Sequence, residues 1–118
     1  MNKARILETA PRFYVDGVEK TLLYYINQLG FTLINKVPNT YAMVQRDGFQ
    51  LHFAKFNTLY PNKHQPQHLI IWIPEIDLFW EELKSKDIKI IESIVLRPYG
   101  NREFVFEDCN GNIITICD

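Results

Sequence analysis

Two histidines in strand-like stretches are the residues of this sequence best placed to do chemistry. His52 lies in the stretch FQLHFAK, where alternation places Leu51 and Phe53 on one face and the imidazole on the other. His68 begins the stretch HLIIW, which is also typical of a strand. Each imidazole could ligate a metal, contact a small molecule or fill a polar position on a sheet.

Two amphipathic helices are predicted to pack beside these strands. The segment DGVEKTLLYYINQLG has an apolar stripe that begins at Val18, and Gly30 supplies a stop. Asp16 and Glu19 have the spacing of a capping box at its start. The segment EIDLFWEELKSKD has a second stripe, which begins at Ile76.

The rest of the chain is predicted to form strands and turns, in the order β, α, β, β, β, repeated once. The turns expected for hairpins are Asp47-Gly48 and Asn110-Gly111. The predicted strands cover residues 4–14, 31–37, 40–46, 49–56, 67–73, 88–91, 102–108 and 112–117. This repetition predicts an α+β fold of two tandem βαβββ units, each a small curled mixed sheet backed by a helix.

The starts of the two apolar helix stripes and the two hairpin glycines also allow the first half of the chain to be aligned with the second. Counted from these landmarks, the equivalent positions on the first and last strands are Ala10, His52, His68 and Thr115. If each helix covers one face of its sheet, the opposite faces form a cleft. The side chains predicted to line this cleft are His52, His68, Trp72 and Thr115.

Length and composition restrict the class of protein. A chain of 118 residues is long enough for one core and too short for two ordinary domains. We therefore expect one domain over residues 1–118, with a first unit at about 4–56, a linker at about 57–66 and a second unit at about 67–118. The formal net charge of −1 argues against nucleic acid or membrane partners.

Several motifs that indicate other functions are missing from the sequence. No apolar run has the length of a membrane span, and the first residues do not resemble a signal peptide, so we expect a cytoplasmic location. Cys109 and Cys117 lack the spacing of a zinc or redox pair and are expected to be neutral thiols. Motifs for hydrolysis and phosphoryl transfer are also missing.

The closing stretch RPYGNREFVFEDCNGNIITI resembles the glyoxalase, bleomycin-resistance and extradiol dioxygenase superfamily, also called the vicinal oxygen chelate superfamily. Members typically show an aromatic residue and a glycine, then Arg-Glu-Phe, then Asp, two turn residues, Gly and Asn. Here these are Tyr99-Gly100, Arg102-Glu103-Phe104, Asp108 and Gly111-Asn112. With VDGVEKTLLYYINQLGF and HLIIWIPEIDLFWEELKSKDI, the resemblance covers nearly the whole chain and implies the same paired βαβββ fold.

The resemblance also implies four metal positions, of which this sequence fills two with good ligands. Enzymes of the superfamily chelate a divalent metal at positions that correspond to Ala10, His52, His68 and Thr115. Alanine offers no lone pair, and a threonine hydroxyl is a weak neutral donor. We therefore expect no metal cofactor. The alternative is a metal-dependent lyase, isomerase or dioxygenase that uses His52 and His68, with Glu8 as a further ligand.

The bleomycin-resistance branch of the superfamily has lost the chelating residues and holds a drug in the cleft. Its stacking positions at the dimer interface correspond to Tyr41 and Tyr99, which could also be rim aromatics. A flat ligand with a cationic tail would suit ring stacking, with acidic contacts from Asp108, Glu103 or Glu107.

We therefore expect an antibiotic-resistance-type homodimer that sequesters a bleomycin-type small molecule without catalysis. Open sheet edges favour pairing between chains, which would build the cleft from both subunits. The residues expected to bind the ligand are Tyr41, His52, His68, Trp72, Tyr99 and Thr115.

Overall fold

The computed structural model of the chain describes residues 2–56 and 65–118. Within these ranges the elements are β1 (Arg12–Val15), α1 (Val18–Asn27), β2 (Thr32–Val37), β3 (Tyr41–Arg46), β4 (Phe49–Lys55), β5 (His68–Trp72), α2 (Ile76–Lys84), β6 (Lys89–Leu96), β7 (Arg102–Glu107) and β8 (Ile113–Cys117). Neither helix of this described part is long and apolar enough to cross a membrane. The predicted linker at 57–66 falls mainly on residues 57–64, which lie outside the described residues.

The strands form two four-stranded sheets with the same topology. Their orders are β1-β4-β3-β2 and β5-β8-β7-β6. In each sheet the first strand runs parallel to the last, and the other neighbours are antiparallel. Both sheets are therefore mixed, which confirms the predicted α+β fold of paired βαβββ units.

Two strand boundaries differ from the prediction by more than one residue. A strand is predicted over residues 4–14, but β1 starts at Arg12. Pro11 has no N–H to donate, so the ladder between β1 and β4 cannot continue through it, and residues 2–10 are exposed. The strand predicted at 88–91 is too short, since β6 extends from Lys89 to Leu96, with register shifts where it pairs with β7.

The predicted capping box at the start of α1 is wrong. The N-cap is Gly17, which has no side chain to accept a hydrogen bond. The carboxylate of Glu19 instead accepts hydrogen bonds from Lys36 Nζ at 2.8 Å and from the backbone N–H of Asn39 at 3.1 Å. Glu19 therefore attaches the β2–β3 hairpin to the helix.

The core lies between the helices and the inner faces of the two sheets. Seven strand residues are predicted to face the helices. Leu51, Phe53, Ile114 and Ile116 are at most 1% exposed, and the other three, Leu69, Ile71 and Ile73, are partly buried against the core. Tyr25 of α1 is also buried, and its ring centroid lies 4.8 Å from that of Phe53. This packing confirms the predicted inner face of both sheets.

Polar contacts between α1 and the β7–β8 turn join the two halves. The hydroxyl of Tyr25 donates to Asp108 Oδ2 at 2.5 Å, and Asn110 Nδ2 donates to Thr21 Oγ1 at 2.8 Å. Asp108 also accepts hydrogen bonds from the backbone N–H groups of Asn110 and Asn112 and from Asn112 Nδ2. The closing motif of the sequence therefore positions the second half against the first helix.

Candidate functional site

The open face of the first sheet, which is the face turned away from α1, carries a connected group of polar side chains. Arg12 on β1 and Met43 on β3 are both cross-strand neighbours of His52 on β4. Side chains at paired positions project to the same face, so Arg12 stands directly beside the imidazole. Gln50 and Tyr41 lie on this face as well, because they are an even number of residues from His52 and Met43 along their strands.

Four of these side chains form one chain of hydrogen bonds, which we call the His52 network: Arg12, Tyr41, His52 and Gln50. Arg12 Nε donates to the Tyr41 hydroxyl oxygen at 3.0 Å. The same hydroxyl lies 2.7 Å from His52 Nδ1, and His52 Nε2 lies 3.2 Å from Gln50 Oε1. Because an amide oxygen only accepts, His52 carries its proton on Nε2, and Nδ1 accepts from Tyr41.

The surroundings of His52 favour the neutral imidazole. Burial lowers the pKa of His52 below its usual value of 6.5, and the charge of Arg12 lowers that pKa further, while Glu8 acts in the opposite direction. Hydrogen bonds to Tyr14 and Tyr41 raise the pKa of Arg12. The site therefore combines a neutral imidazole with a guanidinium that keeps its positive charge.

A cavity of about 280 Å³ opens beside the His52 network. Its lining residues are Glu8, Thr9, Ala10, Arg12, Gln50 and His52. The cavity has room for a small polar group of a ligand. It offers hydrogen-bond donors and one carboxylate, but Ala10 contributes only a methyl group.

This set of side chains does not fit a divalent metal. Both ring nitrogens of His52 are already hydrogen-bonded, and the neighbouring charge of Arg12 would repel a cation. Residues 2–56 and 65–118 contain no group of three His, Cys, Asp or Glu side chains that could hold a metal ion. A metal site built on His52, His68 and Glu8 would need three protein ligands placed together.

The open face of the second sheet is largely apolar along β5. Trp72 is 65% exposed and Ile70 is 52% exposed, and His68 on the same strand is exposed as well. Thr115 of β8 pairs with Ile70 and shares its face. Predicted site residues on this sheet therefore lie among side chains that offer hydrophobic contact.

On the β6–β7 side of this sheet, charged side chains neutralise one another. Arg97 donates from Nε to Glu103 Oε2 at 3.0 Å, and its Nη2 contacts Glu92. The hydroxyl of Tyr99 donates to Glu103, which lowers the pKa of the Glu103 carboxyl, and Arg97 lowers it further. Glu103 is therefore ionised and already paired.

The structure divides the six predicted ligand-binding residues between the two sheets. Tyr41 and His52 are brought into direct contact on the first sheet. The remaining four lie on the second half: His68, Trp72, Tyr99 and Thr115. Sequence reasoning did not identify Arg12, although its place two residues after Ala10 in the strand predicted over residues 4–14 was a usable signal.

The predicted acidic contacts have structural partners. Asp108 is 6% exposed and holds the β7–β8 turn against Tyr25, so its carboxylate does not face the open side of the sheet. Glu107 forms an ion pair with Lys89.

Burial raises the pKa of Cys109 to about 11, in agreement with the expected neutral thiol.

The family model of the Glyoxalase/Bleomycin resistance protein/Dioxygenase superfamily matches residues 5–116, and the chain belongs to this superfamily. No curated protein matches the sequence. Membership agrees with the order of the strands in both sheets and with the closing motif.

Solved structures with the same fold include both binding proteins and enzymes. TioX from Micromonospora sp. ML1 has a TM-score of 0.83 and 15% identity, over 92% of this chain and 94% of that one. The bleomycin-binding protein from bleomycin-producing Streptomyces verticillus, solved with copper(II)-bleomycin, has a TM-score of 0.74 and 19% identity, over 97% of each chain. Lactoylglutathione lyase from Agrobacterium tumefaciens has a TM-score of 0.77 and 15% identity, over 98% of this chain and 95% of that one. These similarities establish the fold over almost the full length of the chain.

Proposed function

We propose that this chain is a small-molecule-binding protein that sequesters its ligand without catalysis. The observation that carries the proposal is the His52 network. Its imidazole is oriented by hydrogen bonds with Tyr41 and Gln50, and burial and the charge of Arg12 favour its neutral form. A fixed hydroxyl and a guanidinium beside an open cavity can recognise a ligand, but they do not replace an activating metal ion.

Aromatic side chains on both open faces support the binding role. Tyr41 lies on the first face, and Trp72 and Tyr99, each 65% exposed, belong to the second half. Rings of this kind bury a large area of a flat ligand at a low cost in side-chain entropy. Sequestration requires affinity alone, so it does not need a complete set of metal ligands, of which this chain has only His52 and His68.

We also propose that the binding cleft is completed in a homodimer. The exposed apolar side chains of the second half are a reason for this: Ile70, Trp72, Ile91, Leu96 and Tyr99. An apolar surface of this kind is typical of a protein interface or a ligand groove. The open first sheet of one chain could then face the second sheet of its partner. Sedimentation equilibrium would detect the dimer, and a monomer at every concentration would contradict this part of the proposal.

A bleomycin-type drug is the first probe of binding. The proposed physiological role is to protect the cell from such a drug by binding it in the cytoplasm. Titration calorimetry should give saturable heat for the wild-type chain. Tyr41→Ala should weaken the affinity by about tenfold or more, because it removes a ring contact and a hydrogen-bonding hydroxyl. Leu78→Ala is the control, since Leu78 lies on α2 and is 71% exposed. If no heat is observed, a bleomycin-type ligand is wrong.

The metal content of the purified protein tests the absence of catalysis. We expect no tightly held divalent ion after dialysis against a chelator. One ion per chain that is lost in His68→Ala would instead favour the metal-dependent lyase, isomerase or dioxygenase. The two measurements are independent, so each part of the proposal can fail by itself.

A further inference from the structure

We propose that the cavity beside the His52 network binds an oxyanion of the ligand, a carboxylate or a phosphate, and that Arg12 is its charged contact. This inference rests on the proposed function, because it names the chemical class of ligand that the first sheet would take.

Among the described residues, the charge of Arg12 has no carboxylate partner, unlike the charges of three other arginines. Arg46 pairs with Glu82, Arg97 with Glu103 and Arg102 with Asp118 and Asp77. In the described part of the chain, Arg12 forms no ion pair with a carboxylate. Its hydrogen-bond partners are the phenols of Tyr14 and Tyr41, which are neutral. An exposed charge held in place without a counter-charge suits an anionic ligand.

The geometry of Arg12 leaves donors for such a ligand. Its guanidinium carbon lies 5.3 Å from the centroid of the Tyr41 ring, and Nε is the atom bonded to the Tyr41 hydroxyl. A guanidinium has five N–H donors in a planar fork, so two phenol contacts leave others available. Two parallel N–H groups match the spacing of carboxylate or phosphate oxygens.

The cavity walls add neutral donors and one opposing charge. Thr9 carries a hydroxyl. The side-chain oxygen of Gln50 faces His52, so its amide N–H₂ can donate to a ligand. Ala10 adds little bulk where a larger side chain would fill space. Glu8 is the acidic residue of the lining, and its charge would weaken an anion's binding.

A cationic group would bind poorly at the same place. Arg12 already covers a face of the Tyr41 ring, which is the surface that a cationic tail would use. Arg12 is also the cross-strand neighbour of His52, so a second positive charge would meet repulsion there. A bleomycin-type drug would have to place its cationic tail away from this cavity.

Four naphthyl probes that differ in their polar group test the inference on the full chain: 2-naphthoate, 2-naphthyl phosphate, neutral 2-naphthol and 2-naphthylmethylammonium. Affinities are measured by NMR titration near neutral pH. We expect the preferred anion to bind about tenfold more tightly than 2-naphthol, and the ammonium to bind most weakly. The naphthoate and phosphate arms distinguish a carboxylate site from a phosphate site.

Variants of the charged residues assign the preference to Arg12. Arg12→Gln should remove the advantage of the anion over 2-naphthol, and Arg12→Lys should keep part of it, because an ammonium is a charge without the planar fork. Glu8→Gln should strengthen anion binding by a few-fold. Arg5→Gln is the matched control, since Arg5 is an exposed arginine of the same segment that does not line the cavity.

His52 supplies a readout that does not depend on affinity. A bound oxyanion favours the imidazolium, so saturating 2-naphthoate should raise the pKa of His52, whereas 2-naphthol should not. The groups that act on this imidazole are Arg12 from β1, Tyr41 from β3, Gln50 from β4 and Glu8 from the first segment. The Arg12→Gln variant should lose the shift caused by 2-naphthoate.

Two results would overturn the inference. If 2-naphthol binds as tightly as both anions, or if Arg12→Gln keeps their advantage, Arg12 serves only to orient Tyr41. The proposed binding function would survive in that case, because a neutral probe still binds. If none of the four probes binds, both the oxyanion site and a small-molecule site on the first sheet are wrong.

Discussion

The two sheets share one topology, but their open faces carry different chemistry. On the first, Arg12 keeps a charge that no carboxylate of the described residues pairs with, and it is connected to His52 through Tyr41. On the second, Trp72 presents an apolar surface, and the charge of Arg97 is paired with carboxylates. The repeated unit therefore specifies where strands run, while the open-face side chains are free to differ because they do not support the core.

Matched positions in the last strand of each unit show the same contrast at the level of single residues. Phe53 and Ile116 occupy equivalent inner positions, and both are completely buried. The residues that precede them are His52 and Thr115, which face the open side and differ in type. Burial requires Phe53 and Ile116 to be apolar, whereas the residue types at His52 and Thr115 can be selected for function.

Truncation of the two inner residues should have the largest effect. Phe53→Ala should lower the free energy of unfolding by about 3–5 kcal/mol and Ile116→Ala by about 2–5 kcal/mol, because each leaves a cavity in the core. Denaturant unfolding measures both values. Thr115→Ser on the open face is the control and should change stability by no more than about 0.5 kcal/mol. A small loss in only one inner variant would show that the halves are not equivalent on this side.

Removal of the Tyr25 hydroxyl should have an intermediate effect, because it breaks a contact between the halves. Tyr25→Phe deprives Asp108 Oδ2 of a buried hydrogen bond and should cost about 1–3 kcal/mol. Tyr24→Phe is a matched control from the adjacent residue. The Tyr24 hydroxyl oxygen is buried and has no hydrogen-bond partner among the described residues, so its removal should be neutral or stabilising. Equal losses in both variants would contradict the role given to Asp108.

The pH dependence of stability should show the smallest effect, and it should come from the first sheet. The folded-state pKa of His52 lies below its usual value of 6.5, so the unfolded chain takes up the proton first as the pH falls. This contribution to stability is therefore complete above about pH 6.5 and is lost as the pH falls through the folded pKa. The wild-type free energy of unfolding should decrease relative to that of His52→Gln over this interval. A parallel pH dependence in both proteins would contradict the prediction.

Local patterns allowed much of the fold to be predicted. The Asp47-Gly48 hairpin is an example, because its residues have φ angles of 53° and 83°, as the tight hairpin turn requires. The errors arose where a single residue interrupts a pattern: Pro11 shortens β1, and Gly17 takes the N-cap position.

The candidate site was predictable only in part. Tyr41 and His52 could be named from the alternation of their strands and from the family resemblance. Their contact with each other depends on the antiparallel register of β3 on β4, and the place of Arg12 depends on the parallel register of β1 on β4. A register shift of one residue would move each side chain to the other face.

The sequence by itself determined the repeated order of elements, the inner faces of the sheets and membership of the superfamily. The order of elements and the inner faces follow from apolar periodicity and turn residues, which are local properties of the chain, and the superfamily follows from the resemblance carried by the closing motif. Only the tertiary structure decided that Arg12 lies beside His52 and that Asp108 joins the two halves. Both contacts link residues that are distant in sequence, so packing and strand register had to bring them together.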